Sequence, residues 1–393
     1  MTAVPEQGRD NVAAETERPV APLELFFDLV FVFGFTQVTT LLSDNPTWSG
    51  LGHGLLVLAA LWWAWASYTW LANAIDAEVG IVLAAVLVAA GAMFVGALAV
   101  PAAFGDHGVV FGVAFLIVNA MQAALYTLGA REDPDLRDAV LRVVPWVLGG
   151  SSLILVAGFV DGGARAALWL AALAVGFVGP ALRGVQGFRV QPAHFVERHG
   201  LIVIIAIGES LVAIGLGARG TRLDADVILA AVLGFAVATS FWLAYFDFFA
   251  IRGRQLLSNR SGEDRIALAR DVYTYIHLPM IVGIVLFAFA MKATLAHLHD
   301  DLGTIEAIAL CGGPALYLFA YVALRFRVSR RFGRGRLTAA ICCAALIPVA
   351  RVVPALVALA LVTAVWVCLH AYELIRWREA RADTRMQRFP AAS

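Results

Sequence analysis

Pro22-Leu-Glu24-Leu-Phe-Phe-Asp28-Leu-Val-Phe-Val-Phe-Gly-Phe-Thr-Gln37 is an apolar run with two acids in its first two turns. A second stretch has the same build. Pro192-Ala-His194-Phe-Val-Glu197-Arg198-His199-Gly200 leads into Leu201-Ile-Val-Ile-Ile-Ala-Ile-Gly208-Glu209-Ser210. A near-continuous apolar run of about 20 residues is the length a helix needs to cross a bilayer. An acid inside such a helix is costly, faces protein or water, and marks a functional site by default. These two stretches therefore predict both the class of fold and where its chemistry lies.

Working outward, similar runs recur along the whole chain. Of its 393 residues 61% are hydrophobic and only 15% charged, and the mean hydropathy is +0.81. Soluble domains carry about 25% charged residues. The sequence predicts an all-α polytopic membrane protein with about twelve transmembrane helices, near 22–42, 50–71, 79–103, 108–129, 139–159, 165–187, 199–217, 226–250, 272–295, 302–325, 336–350 and 352–374. The alternating ten-residue segments of a transmembrane barrel are absent from the sequence.

Charge orients the chain. With the N-terminus placed inside, the inward segments hold 2, 0, 3, 3, 5, 6 and 5 Lys/Arg, which is 24 of the 29. That bias predicts an N-in, C-in arrangement in the cytoplasmic (inner) membrane. Residues 1–21 lack the features of a signal peptide and read as a disordered cytoplasmic tail. Residues 375–393 read as a basic cytoplasmic tail. Cys311, Cys342, Cys343 and Cys368 fall in apolar spans without metal-ligand spacing, so no disulfide is expected. Lys292 is the sole lysine, read as a trace of coding bias.

Laying Glu24 on Glu197 places Thr36 on Glu209 and Gln37 on Ser210. The aromatic segment Trp62–Tyr68 then matches Phe241–Tyr245 in density. The sequence thus predicts a parallel 6+6 internal repeat, with residues 22–187 as the first six-helix half and 188–374 as the second. Pro101, Pro145, Pro180, Pro279, Pro314 and Pro348 predict kinks.

Together the two opening stretches resemble the bacterial low temperature requirement protein A family, over nearly the whole chain. Positions that match the family pattern are Glu24, Asp28, His194, Glu197, Arg198, Gly208 and Glu209; His199 sits where variability is expected. The resemblance implies a multi-pass membrane protein linked by name to growth in the cold. It carries no reaction or substrate.

Helix geometry relates the polar residues. Glu24 and Asp28, four apart, share a face, and two acids that close share a proton or a cation. The bland reading is that Glu24 caps a helix N-terminus, where an acid is favourable. His194, Glu197 and Arg198 are read as one face, with Arg198 serving Glu24, Asp28 or Glu197. His194 and His199 miss the spacing of a zinc helix by one residue, about 100° of turn. Glu209 falls about 15 Å beyond His199, near the middle of the membrane, with Gly208 beside it for close approach and Ser210 for a hydrogen bond. Against it stands a protonated acid that merely glues helices. Asp247 and His277 are expected on the cytoplasmic side with the shallow acids. Trp62, Trp63, Trp65, Tyr68 and Trp70 read as an interfacial belt or as packing, or else as the wall of a pocket for an apolar or cationic substrate.

No phosphate-binding loop, dinucleotide fingerprint or nucleophile elbow is present, and the basic loops serve orientation, so nucleic-acid binding is not indicated. The leading reading is a proton- or cation-coupled secondary transporter or permease for a small molecule or ion, with Glu209, Asp28, Glu24, Glu197, Arg198, His194, Asp247 and His277 as substrate- or ion-coupling residues. The alternatives are an intramembrane enzyme or metal or cofactor protein acting on a lipid-soluble substrate, and a non-catalytic membrane component. Metal and cofactor stay open.

Overall fold

The computed structural model describes residues 20–75, 80–247 and 249–376, without the side chains of 248–252. The two predicted tails fall largely outside these residues. The described residues form helices joined by short turns: α1 (Pro22–Asp44), α2 (Trp48–Ala72), α3 (Gly80–Ala99), α4 (Gly108–Gly129), α5 (Pro134–Ala157), α6 (Gly162–Leu182), α7 (Pro192–Gly217) and α8 (Ala225–Phe246). After these come α9 (Phe249–Ser258), α10 (Gly262–Ala269), α11 (His277–Ala296), α12 (Thr304–Ala307), α13 (Gly313–Ser329), α14 (Arg334–Ala345), α15 (Ile347–Ala350) and α16 (Ala355–Arg376). Eleven helices among the described residues are long and apolar enough to cross a membrane. The protein is a multi-pass membrane protein whose surroundings are a lipid bilayer.

The predicted span 336–350 is where the structure departs from expectation. It is two short helices, α14 and α15, parted at Leu346 two residues before Pro348. Proline lacks the N–H that would continue the ladder and crowds the turn before it. The broken pair nonetheless runs the height of the bundle. At one end Arg336 meets Glu373 of α16. At the other, the α15–α16 turn lies against the α11–α12 loop, with Ala355 N–H bonded to Asp300 O and Leu356 N–H to Leu298 O.

Two π-helical turns, Arg270–Ile276 and Ile308–Gly312, lead into α11 and α13. The first joins α10 to α11, so the predicted helix at 272–295 is the inner part of a longer one, Gly262–Ala296. Helix starts are marked locally. Pro22 and Pro192 open α1 and α7, where the missing N–H is not needed. The side chains of Thr47, Asp133 and Asp224 accept from the backbone N–H three residues on.

Packing follows a regular order. Helix α1 packs along α2 and α3, α3 along α4, α4 along α5, α5 along α6, and α2 against α6. Helix α7 packs along α8 and α11, α11 along α13, α13 along α14, α14 along α16, and α8 against α16. Between these sets lie α1, α7 and α11, in mutual contact at the centre. Helices α11 and α13 cross closely. A Cβ built on Gly283 would fall 2.5 Å from Gly313 O, and one on Gly313 would fall 2.7 Å from Gly283 O.

Helix α1 shows why its acids point inward. Glu24, Phe27, Asp28, Phe31, Phe35, Val38 and Leu42 recur at three- and four-residue steps and are buried, while Leu25, Phe26 and Leu29 are exposed on the lipid side. Trp62, Trp63, Trp65 and Tyr68 are likewise buried. Of the two readings, belt or packing, they are interior packing.

Candidate functional site

The α1–α7 seam brings the two opening stretches together. Both helices run in the same direction, and residues near 170–174 apart in sequence meet across it. Arg198 Nη2 donates to Asp28 Oδ1 at 2.9 Å and Nη1 to Glu24 Oε2 at 3.4 Å. His194 Nε2 lies 2.9 Å from Glu24 Oε2 and so carries the proton on that nitrogen, since an ionised carboxylate only accepts. Trp65 Nε1–H donates to Asp28 Oδ1 at 2.8 Å, and the Arg198 guanidinium stands 5.8 Å from the centre of the Trp65 ring. Glu24, Asp28, His194 and Arg198 are all buried.

Two carboxylates share the Arg198 guanidinium, and Glu24 also meets His194. Burial makes a charge without a partner expensive. Asp28 Oδ2, Arg198 Nε and His194 Nδ1 are buried without a hydrogen-bond partner among the described residues. A cavity of about 20 Å³ borders Glu24 and Arg198, and one water needs about 10–15 Å³. Glu24 therefore does more than cap a helix: it is tied to the neighbouring helix.

The structure sorts the predicted residues. His194 and Arg198, 40° apart on the helix wheel, both face α1. Glu197 stands 100° round from Arg198 and is exposed, so it does not join the cluster as the one-face reading expected. Asp247 ends α8, its N–H bonded to Leu243 O, and is half-buried two residues past Tyr245. His277 is buried with both ring nitrogens engaged, Nδ1 on Val272 O at 2.8 Å and Nε2 on Tyr245 Oη at 3.0 Å. The bond to Val272, five residues back, is one that the π-helical turn makes available.

His199 is the residue that sequence reasoning passed over. Its Nδ1–H donates to Phe195 O at 2.8 Å, which leaves Nε2 as a lone pair, fully buried and without a partner. Its ring sits 5.0 Å from Trp65, 4.9 Å from Tyr273 and 5.4 Å from His277. Only its place next to Arg198 on a buried helix hinted at this.

Deeper in the seam is Glu209, 1% exposed. It lies eleven residues beyond Arg198 and ten before Arg219, about 15 Å from each along the helix. Its carboxyl oxygens meet two threonines of α1. Thr36 Oγ1 is 2.5 Å from Oε2, and Thr39 Oγ1 is 2.8 Å from Oε1. Each hydroxyl has a second acceptor, Val32 O at 3.2 Å for Thr36 and Thr36 O at 2.8 Å for Thr39. A hydroxyl donates one proton and accepts others. With Glu209 ionised, both hydroxyls donate to it. With Glu209 protonated, its O–H donates to one threonine, whose own proton turns to the backbone carbonyl. Both protonation states are satisfied with no heavy atom displaced.

Two expectations about its neighbours change. A Cβ on Gly208 would meet nothing within 4 Å, so that glycine is not there for close packing. Ser210 is buried but makes no hydrogen bond. Among the described residues no group of three or more His, Cys, Asp or Glu is arranged to hold a metal ion.

Comparison with known proteins places this seam in context. The family model described as Bacterial low temperature requirement A protein (LtrA) matches residues 19–371, and so takes in α1, α7 and every residue of the seam. An uncharacterized protein of Rhizobium meliloti (strain 1021) is 32% identical over 327 residues, covering 78% of this chain and 77% of its own. No solved structure matches the chain.

Proposed function

The chain belongs to the bacterial low temperature requirement A family, and we propose that it is a proton-coupled secondary transporter or permease for a small molecule or ion. Glu209 is the coupling site. The observation that carries this reading is the pairing of Glu209 with Thr36 and Thr39, each hydroxyl having a backbone acceptor in reserve. A carboxyl meant only to glue helices needs one satisfied state. A coupling carboxyl needs two, both buried and both free of a large penalty.

The remaining parts have fixed roles in this reading. Glu24, Asp28, His194 and Arg198 form the gate on the cytoplasmic side. His199 stands between gate and coupling site. His277 holds Tyr245 in place. Glu197 and Asp247 lie at the cytoplasmic surface, where an acid gathers protons or cations for the gate.

Both termini are cytoplasmic, in accord with 24 of 29 basic residues on that side. Two six-helix halves, 22–187 and 188–374, form a parallel repeat. The support is the packing order, in which first packs on third, third on fourth, and second on sixth, in both sets of helices. The coupling site at the contact of the first helix of each half is where such transporters bind.

The test is proton flux into proteoliposomes loaded with a pH-sensitive dye, driven by an imposed pH gradient and valinomycin. Wild type should acidify the lumen, and Glu209→Gln should not. Equal rates would remove Glu209 from the coupling role. Growth in the cold of a strain carrying only Glu209→Gln then links the activity to the property in the family's name.

A further inference from the structure

A second cavity, of about 90 Å³, lies away from the seam between α2, α4, α5, α6 and the π-helical turn before α11. That is several times the space one water needs. Its walls are largely apolar: Trp63, Trp70, Val144, Val147 and Phe188 line it, with Arg270 among them. No carboxylate lines it. The aromatic segment of α2 therefore does form part of a pocket, but its charge is wrong for a cationic guest.

Arg270 shares its carboxylate. Its Nε and Nη2 both donate to Asp271 Oδ1, at 3.0 and 2.8 Å, while Asp271 Oδ2 accepts from Arg327 Nε at 2.9 Å. One carboxylate thus serves two guanidiniums, and Arg270 and Arg327 together keep one positive charge in excess beside the cavity. Trp63, 8% exposed, contributes ring surface to the wall. Around this end of α5 and α6 stand Arg142, bonded to Gln186 O, and Arg183, set over the Trp146 ring.

We propose that this cavity takes part of one acyl chain of an anionic phospholipid, with the phosphate at Arg270. An apolar slot beside two guanidiniums that share one carboxylate suits that guest in one piece. Basic pockets between transmembrane helices on the cytoplasmic side hold anionic headgroups in the same manner. The site is independent of the transport reading.

Native mass spectrometry of the detergent-purified chain tests it, with dioleoyl phosphatidylglycerol against dioleoyl phosphatidylcholine as probes. Wild type should retain phosphatidylglycerol over phosphatidylcholine. Arg270→Gln should cut that preference about fivefold, the factor one basic residue near an anionic headgroup supplies. Val144→Phe should fill the slot and lower occupancy by both lipids. Thermal melts of each variant without lipid confirm that it is folded. Unchanged preference in Arg270→Gln, or unchanged occupancy in Val144→Phe, would overturn the proposal in favour of general attraction to the basic surface. Displacement of phosphatidylglycerol by millimolar inorganic phosphate alone would overturn it in favour of a free-anion site.

Discussion

Arg198 of α7 and Asp28 of α1 are joined at 2.9 Å with each side chain 1% exposed, and the same guanidinium reaches Glu24. Removing one member of such a group strands the other inside the protein, which costs about 3–5 kcal/mol. Arg198→Ala should therefore lower the thermal midpoint of the detergent-purified protein sharply. Replacing the arginine and both acids together, Arg198→Met with Glu24→Gln and Asp28→Asn, should recover much of that loss. A triple variant no more stable than Arg198→Ala would mean that the cluster is not a closed electrostatic unit.

The threonines beside Glu209 make a separable prediction. Thr39→Val keeps shape but removes the donor to Oε1. An ionised Glu209 then loses a partner, at about 1–3 kcal/mol, whereas a protonated one loses less. The variant should melt lower, and the gap from wild type should widen as the pH is raised over the range in which Glu209 ionises. Thr39→Ser, which restores the hydroxyl, should erase the difference. A pH-independent gap would indicate lost packing alone.

His199→Phe separates filling from proton handling. The ring shape is kept, and Phe195 O still accepts from the backbone N–H of residue 199, so stability should change by no more than about 1 kcal/mol. Proton flux in proteoliposomes should nonetheless fall. A variant that is stable and fully active would reduce His199 to core packing.

The close crossing of α11 and α13 predicts two outcomes for one kind of change. Gly283→Ala or Gly313→Ala forces a methyl group against a backbone carbonyl and should destabilise by about 1–3 kcal/mol. Gly208→Ala has open space and should be neutral in a thermal melt. If all three behave alike, the crossing is looser than the distances say.

Much of this was legible in the sequence, for reasons particular residues make plain. Long apolar runs fixed the helices because backbone groups in lipid have no other partner than their own chain. The acids of α1 and α7 announced themselves because a charge in that setting must face protein. Arg198 was matched to Glu24, Asp28 or Glu197 from charge and from the symmetric placement of the two stretches. What stayed hidden depends on rotation and neighbours. Glu197 is one residue from Arg198 yet on another face. Trp62 and Trp65 have the composition of a membrane belt, and composition does not say whether a ring meets lipid headgroups or His199. The break at Leu346 needed the geometry of the turn. The threonine pair at 36 and 39 looked like ordinary polar residues until α7 was laid beside them.

Glu24 and Asp28 stand one helical turn apart on a helix parallel to the one that carries Arg198. The guanidinium meets both acids at once, so a slide of α7 along α1 by that turn, about 5.4 Å, would leave one of them without its cation. The shared arginine therefore fixes the register of the two helices, and with it the height at which Glu209 meets Thr36 and Thr39.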